Sequence, residues 1–241
     1  YPTYEVGAQL VGARVVRSDA PSTLGSERVG LVWLNSPSNP TGRVMSAAQL
    51  RETIDWAREQ GAVVASDECY LEMGWSRTPE SALSVCGGDY TGVLAVHSLS
   101  KRSNLAGYRA GFVAGDPALI GELLAVRRHL GMIVPTPVQA AMVVALADDA
   151  HVIEQRARYG ARREMLLPAL RSAGCHVDAS EAGLYLWVTR GEGCWATLDW
   201  LAGQGILAAP GAVYGSAGDR HVRAALTASD AAMAEVVTRL G

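Results

Sequence analysis

The sequence predicts an α/β protein, with a mostly parallel sheet flanked by helices and a smaller α+β unit at its C-terminal end. Three observations carry this. Short Val-, Leu- and Ala-rich runs alternate with longer segments of helical period, the rhythm of parallel βαβ units. Three of those runs end in polar residues at their carboxyl side, Asn35–Gly42, Asp67–Tyr70 and Ser98–Lys101, where open α/β sheets hold ligands. Near residue 152 the pattern changes to one long charged helix followed by short strands and two further helices.

In chain order, Gln9–Val16 and Val29–Asn35 read as strands, rich in Val and Leu and bounded by Gly, Ser and Pro. A helix is expected over Ala47–Gln60, with Ser46 at its start, Leu50, Ile54 and Ala57 on one face, and Gly61 at its left-handed terminus. Strands follow at Ala62–Ser66, Val93–His97 and Gly111–Ala114, with a turn region from Glu68 to Trp75. Asp116-Pro117 caps a helix to about Leu130, and Thr136-Pro137 opens another from Val138 to Ala147. The helix from His151 to about Ala173 has sparse apolar positions, as a bridge between two units would. Its Arg156, Arg158, Arg162 and Arg163 read as a solvated face. Strands at Cys175–Val177, Leu184–Val188 and His221–Leu226 and helices at Trp195–Gly203 and Ser229–Leu240 complete a division into residues 1–151 and 152–241.

Composition narrows the function classes. A chain of 241 residues can bury a sizeable core. A net charge of −3 with no basic run points away from nucleic acid, and the apolar stretches are too short to span a membrane as helices. The four cysteines form no C-x-x-C pair and the five histidines are scattered. Reduced thiols in a cytoplasmic protein, and no metal site, are the expectation.

The chemistry is concentrated around Lys101. Burial disfavours an ammonium, and a neutral amine is a nucleophile for carbonyl carbon, so a lysine closing an apolar strand is a candidate reactive group. Alone it would read as a solvated turn. Here Ser98 lies three residues before it and Arg109 eight after it, while Asp67 and Tyr70 follow one neighbouring strand and Asn39-Pro40-Thr41-Gly42 follows another.

Asn39-Pro40-x-Gly42, Asp67-x-x-Tyr70, Ser98-x-x-Lys101 and Arg109-x-Gly111, in this order and at these intervals, resemble the class I/II aminotransferases, enzymes of PLP-transferase fold type I that use pyridoxal 5'-phosphate. The resemblance runs the length of the chain. It implies that Lys101 holds the cofactor through its amine and then moves a proton at the substrate Cα, that Asp67 pairs with the pyridine nitrogen, and that Asn39 and Tyr70 serve its phenolic oxygen. Ser98 and Arg109 are implied to bind the phosphate, Tyr1 to stack on the ring, and Arg223 to grip the substrate carboxylate, with Asn39 also counted among the substrate-binding residues. Tyr4 reads as packing, and Glu68 as pointing away from Asp67.

Lys101–Arg109 together with the opening Tyr1–Ala8 looks most like the actinobacterial succinyldiaminopimelate aminotransferases of lysine biosynthesis. This implies ping-pong transfer of an amino group from N-succinyl-LL-2,6-diaminopimelate to 2-oxoglutarate, with glutamate as the amino donor in the reverse sense. The small-molecule partners are thus an amino acid and a 2-oxo acid, and the complete protein is expected to be a homodimer. Relatives carry an upstream segment with a phosphate-binding loop and much of the side-chain specificity. The 241 residues are therefore expected to keep most cofactor ligands but little activity. Another aminotransferase specificity, a cysteine-S-conjugate β-lyase, and the aminotransferase-like effector domain of a transcription regulator remain open alternatives.

Overall fold

A computed structural model describes residues 1–25 and 27–241. Its first half is built on a four-stranded sheet of β1 (Leu31–Asn35), β2 (Val63–Asp67), β3 (Val93–Ser98) and β4 (Gly111–Gly115) in that order. The first three strands are parallel, and β4 returns antiparallel to β3. The register sets Asn35 beside Asp67 and Asp67 beside Val96, so the polar carboxyl ends of β1 and β2 lie level.

Helix α1 (Pro2–Leu10) precedes this sheet, and α2 (Ala47–Gln60) connects β1 to β2. Ser46 accepts from the Gln49 N–H and Gln49 bonds back to the Ser46 N–H, a reciprocal cap, while Gly61 closes the helix at φ +68°. The apolar face expected for α2 is buried: Ile54 and Ala57 pack with Ala62, Val64, Ala82 and Val93. A single helical turn, α3 (Leu99–Arg102), follows β3 directly. Asp116 caps α4 (Pro117–His129) through the Ala118 and Leu119 N–H groups, and α5 (Thr136–Leu146) follows.

The long helix α6 (Ala150–Ser172) leads to a second, antiparallel sheet. Its strands are β5 (His176–Asp178), β6 (Tyr185–Thr189), β7 (Ala209–Pro210) and β8 (Val222–Ala225), in the order β5-β6-β8-β7, with α7 (Cys194–Gly203) between β6 and β7 and α8 (Asp230–Leu240) last. Leu166, Leu167 and Leu170 of α6 pack with Leu184, Leu186, Val188, Val222, Leu226 and Met233. Tyr70 and Met73, from the loop after β2, join this second core. The two halves are also stitched by a Gly74–Ala182 bridge and by the Trp75 indole, which donates to the Gly183 carbonyl at 2.9 Å.

One sequence expectation fails and a second holds only in part. Gln9–Val16 is not a strand: Pro2 sets the first turn of α1, the helix runs through Leu10, and Gly12 turns the chain out at φ +66°. Residues 13–16 then run exposed and unpaired with any strand. The arginines of α6 are only partly a solvated face: Arg156 and Arg158 are exposed, Arg163 is half-buried and Arg162 is buried. Arg162 is buried and donates to Asp230 at 2.6 Å and to the Leu226 carbonyl at 3.2 Å. Exposed Arg156 nevertheless donates twice to the Gly74 carbonyl, and Arg163 donates to Ser180, while Arg158 pairs with Glu154 one turn back. A guanidinium can carry an apolar stem into an interface while its five donors satisfy carbonyls there, which a periodicity reading counts as polar surface.

All four cysteines are free thiols. No described helix is long and apolar enough to cross a membrane, and among the described residues no group of three or more His, Cys, Asp or Glu side chains could hold a metal ion.

Candidate active site

Every element that ends in the candidate site has a local reason to end there. Beyond β1, Asn35 accepts from the Asn39 N–H at 2.7 Å, and the Ser38 and Gly42 N–H groups close a tight turn. Gly42 adopts φ +72°, and a Cβ there would stand 2.8 Å from the Ala182 carbonyl oxygen. Only glycine fits, and the Gly42 carbonyl accepts in turn from the Glu181 and Ala182 N–H groups at 3.0 Å. The turn that presents Asn39 is therefore clamped against the second half of the chain.

Beyond β2, the two oxygens of Asp67 are both engaged. Oδ1 accepts from the Cys69 N–H at 3.1 Å, and Oδ2 accepts from the Tyr4 hydroxyl at 2.5 Å. Tyr4 also stacks on Trp33 of β1, with centroids 4.8 Å apart and planes at 16°. Tyr4 is thus more than packing, a residue missed because its partner lies 63 positions away. Burial first, then the hydrogen bond to Asp67, push its phenol pKa up from the ordinary value.

Glu68 does point the other way. It is 2% exposed, accepts from the Ala82 N–H at 2.7 Å and meets His97 Nε2 at 3.2 Å, with His97 stacked on Phe112. Burial alone would raise its pKa; His97, the Ala82 N–H and Ser81 outweigh it and hold the carboxyl below its ordinary range. This pair ties the ends of β2 and β3 together behind the site.

Beyond β3, Ser98 caps α3 by accepting from the Ser100 N–H, and Lys101 lies half-buried within that turn. Among the described residues no hydrogen bond or ion pair engages the Lys101 amine, and its charge is near enough to Cys69 to oppose the upward shift that burial gives that thiol. Arg109 sits exposed at φ +55°, an uncommon conformation for a side-chain-bearing residue, and donates to its own turn at the Ala106 carbonyl, 2.9 Å away. Gly111, two residues on, pairs with Ser98, and a Cβ on it would stand 2.7 Å from the His97 carbonyl oxygen. That close approach brings the Arg109 turn beside Ser98.

The second sheet supplies the last group. Arg223 of β8 donates to Asn39 Oδ1 at 3.0 Å, 184 positions away. Its guanidinium lies 3.9 Å from the Tyr185 ring centroid and 5.4 Å from that of Tyr214. Tyr185 Oη is 3.4 Å from the hydroxyl of buried Tyr70, whose pKa burial and Tyr185 raise. Trp187 meets Tyr214 edge-on and stacks on His221. Arg223 Nε is buried with no partner. An orphaned buried cationic donor, held on one edge and one face, is built to receive an anion such as a carboxylate.

Tyr1 lies at the exposed start of α1, edge-on to Tyr4 at 5.9 Å. The structure therefore gathers Asn39, Asp67, Tyr70 and Arg223 through direct contacts or shared partners and sets Ser98, Lys101 and Arg109 along the neighbouring strand end. Tyr4, Tyr185, Trp187 and Tyr214 were missed by sequence reasoning. Of these, only Tyr4 carried a signal, lying one helical turn from Tyr1.

Comparison with known proteins gives a consistent relationship. The model for aminotransferase class I and II matches residues 7–240. A probable aminotransferase of Mycobacterium tuberculosis is 62% identical over the whole chain, which spans 58% of that relative's length. The 4-dedimethylamino-4-oxo-anhydrotetracycline transaminase of Streptomyces rimosus is 60% identical, again over the whole chain and 67% of the relative. Among solved structures, a probable N-succinyldiaminopimelate aminotransferase of Thermus thermophilus superposes with a TM-score of 0.89 at 27% identity, covering 100% of this chain and 68% of that one. The chain thus spans about three-fifths to two-thirds of these relatives.

Proposed function

The chain belongs to the aminotransferase class I and II family, and from that premise we propose that it carries most of the cofactor and substrate site of a transaminase that moves an amino group between glutamate and a 2-oxo acid by a ping-pong mechanism. The family is pyridoxal phosphate-dependent. The observation that carries the proposal is the Arg223 guanidinium, gripped by Asn39, stacked on Tyr185 and left with a buried Nε to fill.

The donor set fits the cofactor. Arg109 and Ser98 would offer a cation and a hydroxyl to a phosphate, Asp67 a carboxylate to a protonated ring nitrogen, Asn39 and Tyr70 polar groups to a phenolic oxygen, and Tyr1 an aromatic ring to the cofactor's ring. Pyridoxal phosphate, when bound, supplies the electron sink for charge left at a substrate Cα. Lys101, with an amine that no described side chain engages, would hold the cofactor through Nζ and would serve as the general base for the proton at the substrate Cα. Arg223 orients the substrate by its carboxylate through the edge that Asn39 leaves free, and Tyr185 keeps that edge facing the site. Residues 1–151 act as the cofactor-binding unit and 152–241 as the unit that brings Arg223 to it.

The proposed substrate pair is N-succinyl-LL-2,6-diaminopimelate with 2-oxoglutarate, supported by the Thermus neighbour's description. A second reading, amination of a polycyclic ketone, is favoured by the 60% identity to the 4-dedimethylamino-4-oxo-anhydrotetracycline transaminase and by the aromatic side chains of Tyr185, Trp187 and Tyr214 near Arg223. The complete protein is proposed to be a cytoplasmic homodimer acting on small molecules.

The sequence makes the test direct, because Lys101 is its only lysine. Pyridoxal phosphate followed by borohydride should fix one cofactor mass on the peptide containing Lys101 and none on the corresponding peptide of Lys101→Ala. The unreduced complex should lose its visible band on addition of glutamate. No fixed cofactor overturns the proposal; fixation without a glutamate response leaves the cofactor site and overturns the substrate site placed around Arg223 in these residues. Acceptor screening with both ketone classes then separates the two substrate readings.

A further inference from the structure

Helix α1 buries none of its residues, yet it is fastened at one point to the centre of the site. That point is Tyr4. Its ring lies flat on Trp33, which pairs with Ala65 two residues before Asp67, and its hydroxyl reaches Asp67 Oδ2 at 2.5 Å. With the Cys69 N–H on Oδ1, the carboxylate is held at both oxygens by donors from two different segments, and each oxygen keeps a further lone pair. A hydroxyl bonded to a carboxylate is among the stronger neutral-donor contacts, and it restricts rotation of the acceptor. Stacking on Trp33 requires only an aromatic ring; the contact to Asp67 requires the hydroxyl.

Resting on the proposed cofactor site, we infer that Tyr4 is a positioning residue: its hydroxyl fixes the orientation of the Asp67 carboxylate that faces the cofactor's ring nitrogen, and its ring carries Tyr1 into place. Burial and Asp67 both oppose ionisation of the phenol, so it remains a donor throughout the pH range in which such a site works. One side chain thereby couples the aromatic cover of the site to its carboxylate.

The experiment is a double-mutant cycle on cofactor binding, not turnover. Pyridoxamine 5'-phosphate, which has no aldehyde to react with Lys101, is titrated into the apo chain by fluorescence quenching for the unsubstituted protein, Tyr4→Phe, Asp67→Asn and the double variant. Tyr4→Phe should weaken binding about tenfold when Asp67 is present and add nothing when it is Asn. Inorganic phosphate, which lacks the ring, should compete equally with and without the hydroxyl. The thermal midpoint of Tyr4→Phe, which keeps the stack on Trp33, should stay close to that of the parent. An unchanged affinity in Tyr4→Phe overturns the inference, as does an equal loss in both Asp67 backgrounds, which would mark packing alone. If the unsubstituted chain binds no pyridoxamine 5'-phosphate, the proposed function fails and this inference fails with it. Binding that is blind to Tyr4→Phe removes only the inference.

Discussion

The two arginines proposed to take anions, Arg223 and Arg109, are held in opposite ways. Arg223 is half-buried: Asn39 takes one nitrogen, Tyr185 covers a face, and Nε is buried without a hydrogen-bond partner. Arg109 is exposed and spends a donor on its own turn at Ala106. An anion at Arg223 meets a guanidinium whose rotamer is already fixed, so the contact costs little ordering and is weakly screened. At Arg109 the side chain must leave its carbonyl, order itself and act through solvent. The proposed carboxylate end is thus preorganised, and the proposed phosphate end is organised by its backbone, through the Ser98–Gly111 pairing, more than by its arginine.

The sharpest way to break this comparison is Arg223→Lys. An ammonium cannot keep the contact to Asn39 and present a second donor edge, so the response of the bound cofactor to glutamate should fall by about a hundredfold or more while cofactor affinity stays level. A loss of cofactor binding instead would show that the two ends are not separable. Arg109→Ala should do the reverse, weakening cofactor binding about tenfold, and added salt should shrink that difference because the guanidinium is exposed. If salt has no effect, Arg109 is as enclosed as Arg223 once the ligand is bound.

Glu68→Gln tests whether the phosphate end is stiffened from behind the sheet. The folded pKa of Glu68 lies below its ordinary 4.5, so its stabilisation is present above that pH and lost as pH falls through the folded value. The variant should therefore unfold about 2 kcal/mol more easily at pH 7 and match the parent in strong acid, as chemical denaturation at several pH values would read out. A pH-independent difference would mean that shape, not charge, matters at Glu68. The smallest effect is expected for Tyr185→Phe, which keeps the ring on Arg223 and removes only the hydroxyl near Tyr70. Glutamate response should change by no more than about threefold.

Much of the fold was legible. The Ser46 and Asp116 caps, Gly61, the parallel β1–β3 and the long helix after residue 150 follow from local signals that neighbouring residues complete among themselves. The spacing of Asn39, Asp67, Tyr70, Ser98 and Lys101 marked a candidate site because each lies at or just beyond the end of a parallel strand, and Arg109 joins them just before antiparallel β4. The strand expected at Gln9–Val16 failed because Val-rich sequence needs a strand beside it to become one. The helices show the same limit: α4 and α5 are as apolar as α2, yet bury none of their residues among those described.

What the sequence by itself determined was the order of elements and the residue types at their ends, since propensity, capping and strand period act over a few positions. What only the tertiary structure decided was which groups meet: Tyr4 with Asp67, Arg162 with Asp230, and Arg223 with Asn39 and Tyr185. Those meetings join residues tens to nearly two hundred positions apart, where side-chain donors and aromatic faces find partners only after the strands and helices have packed.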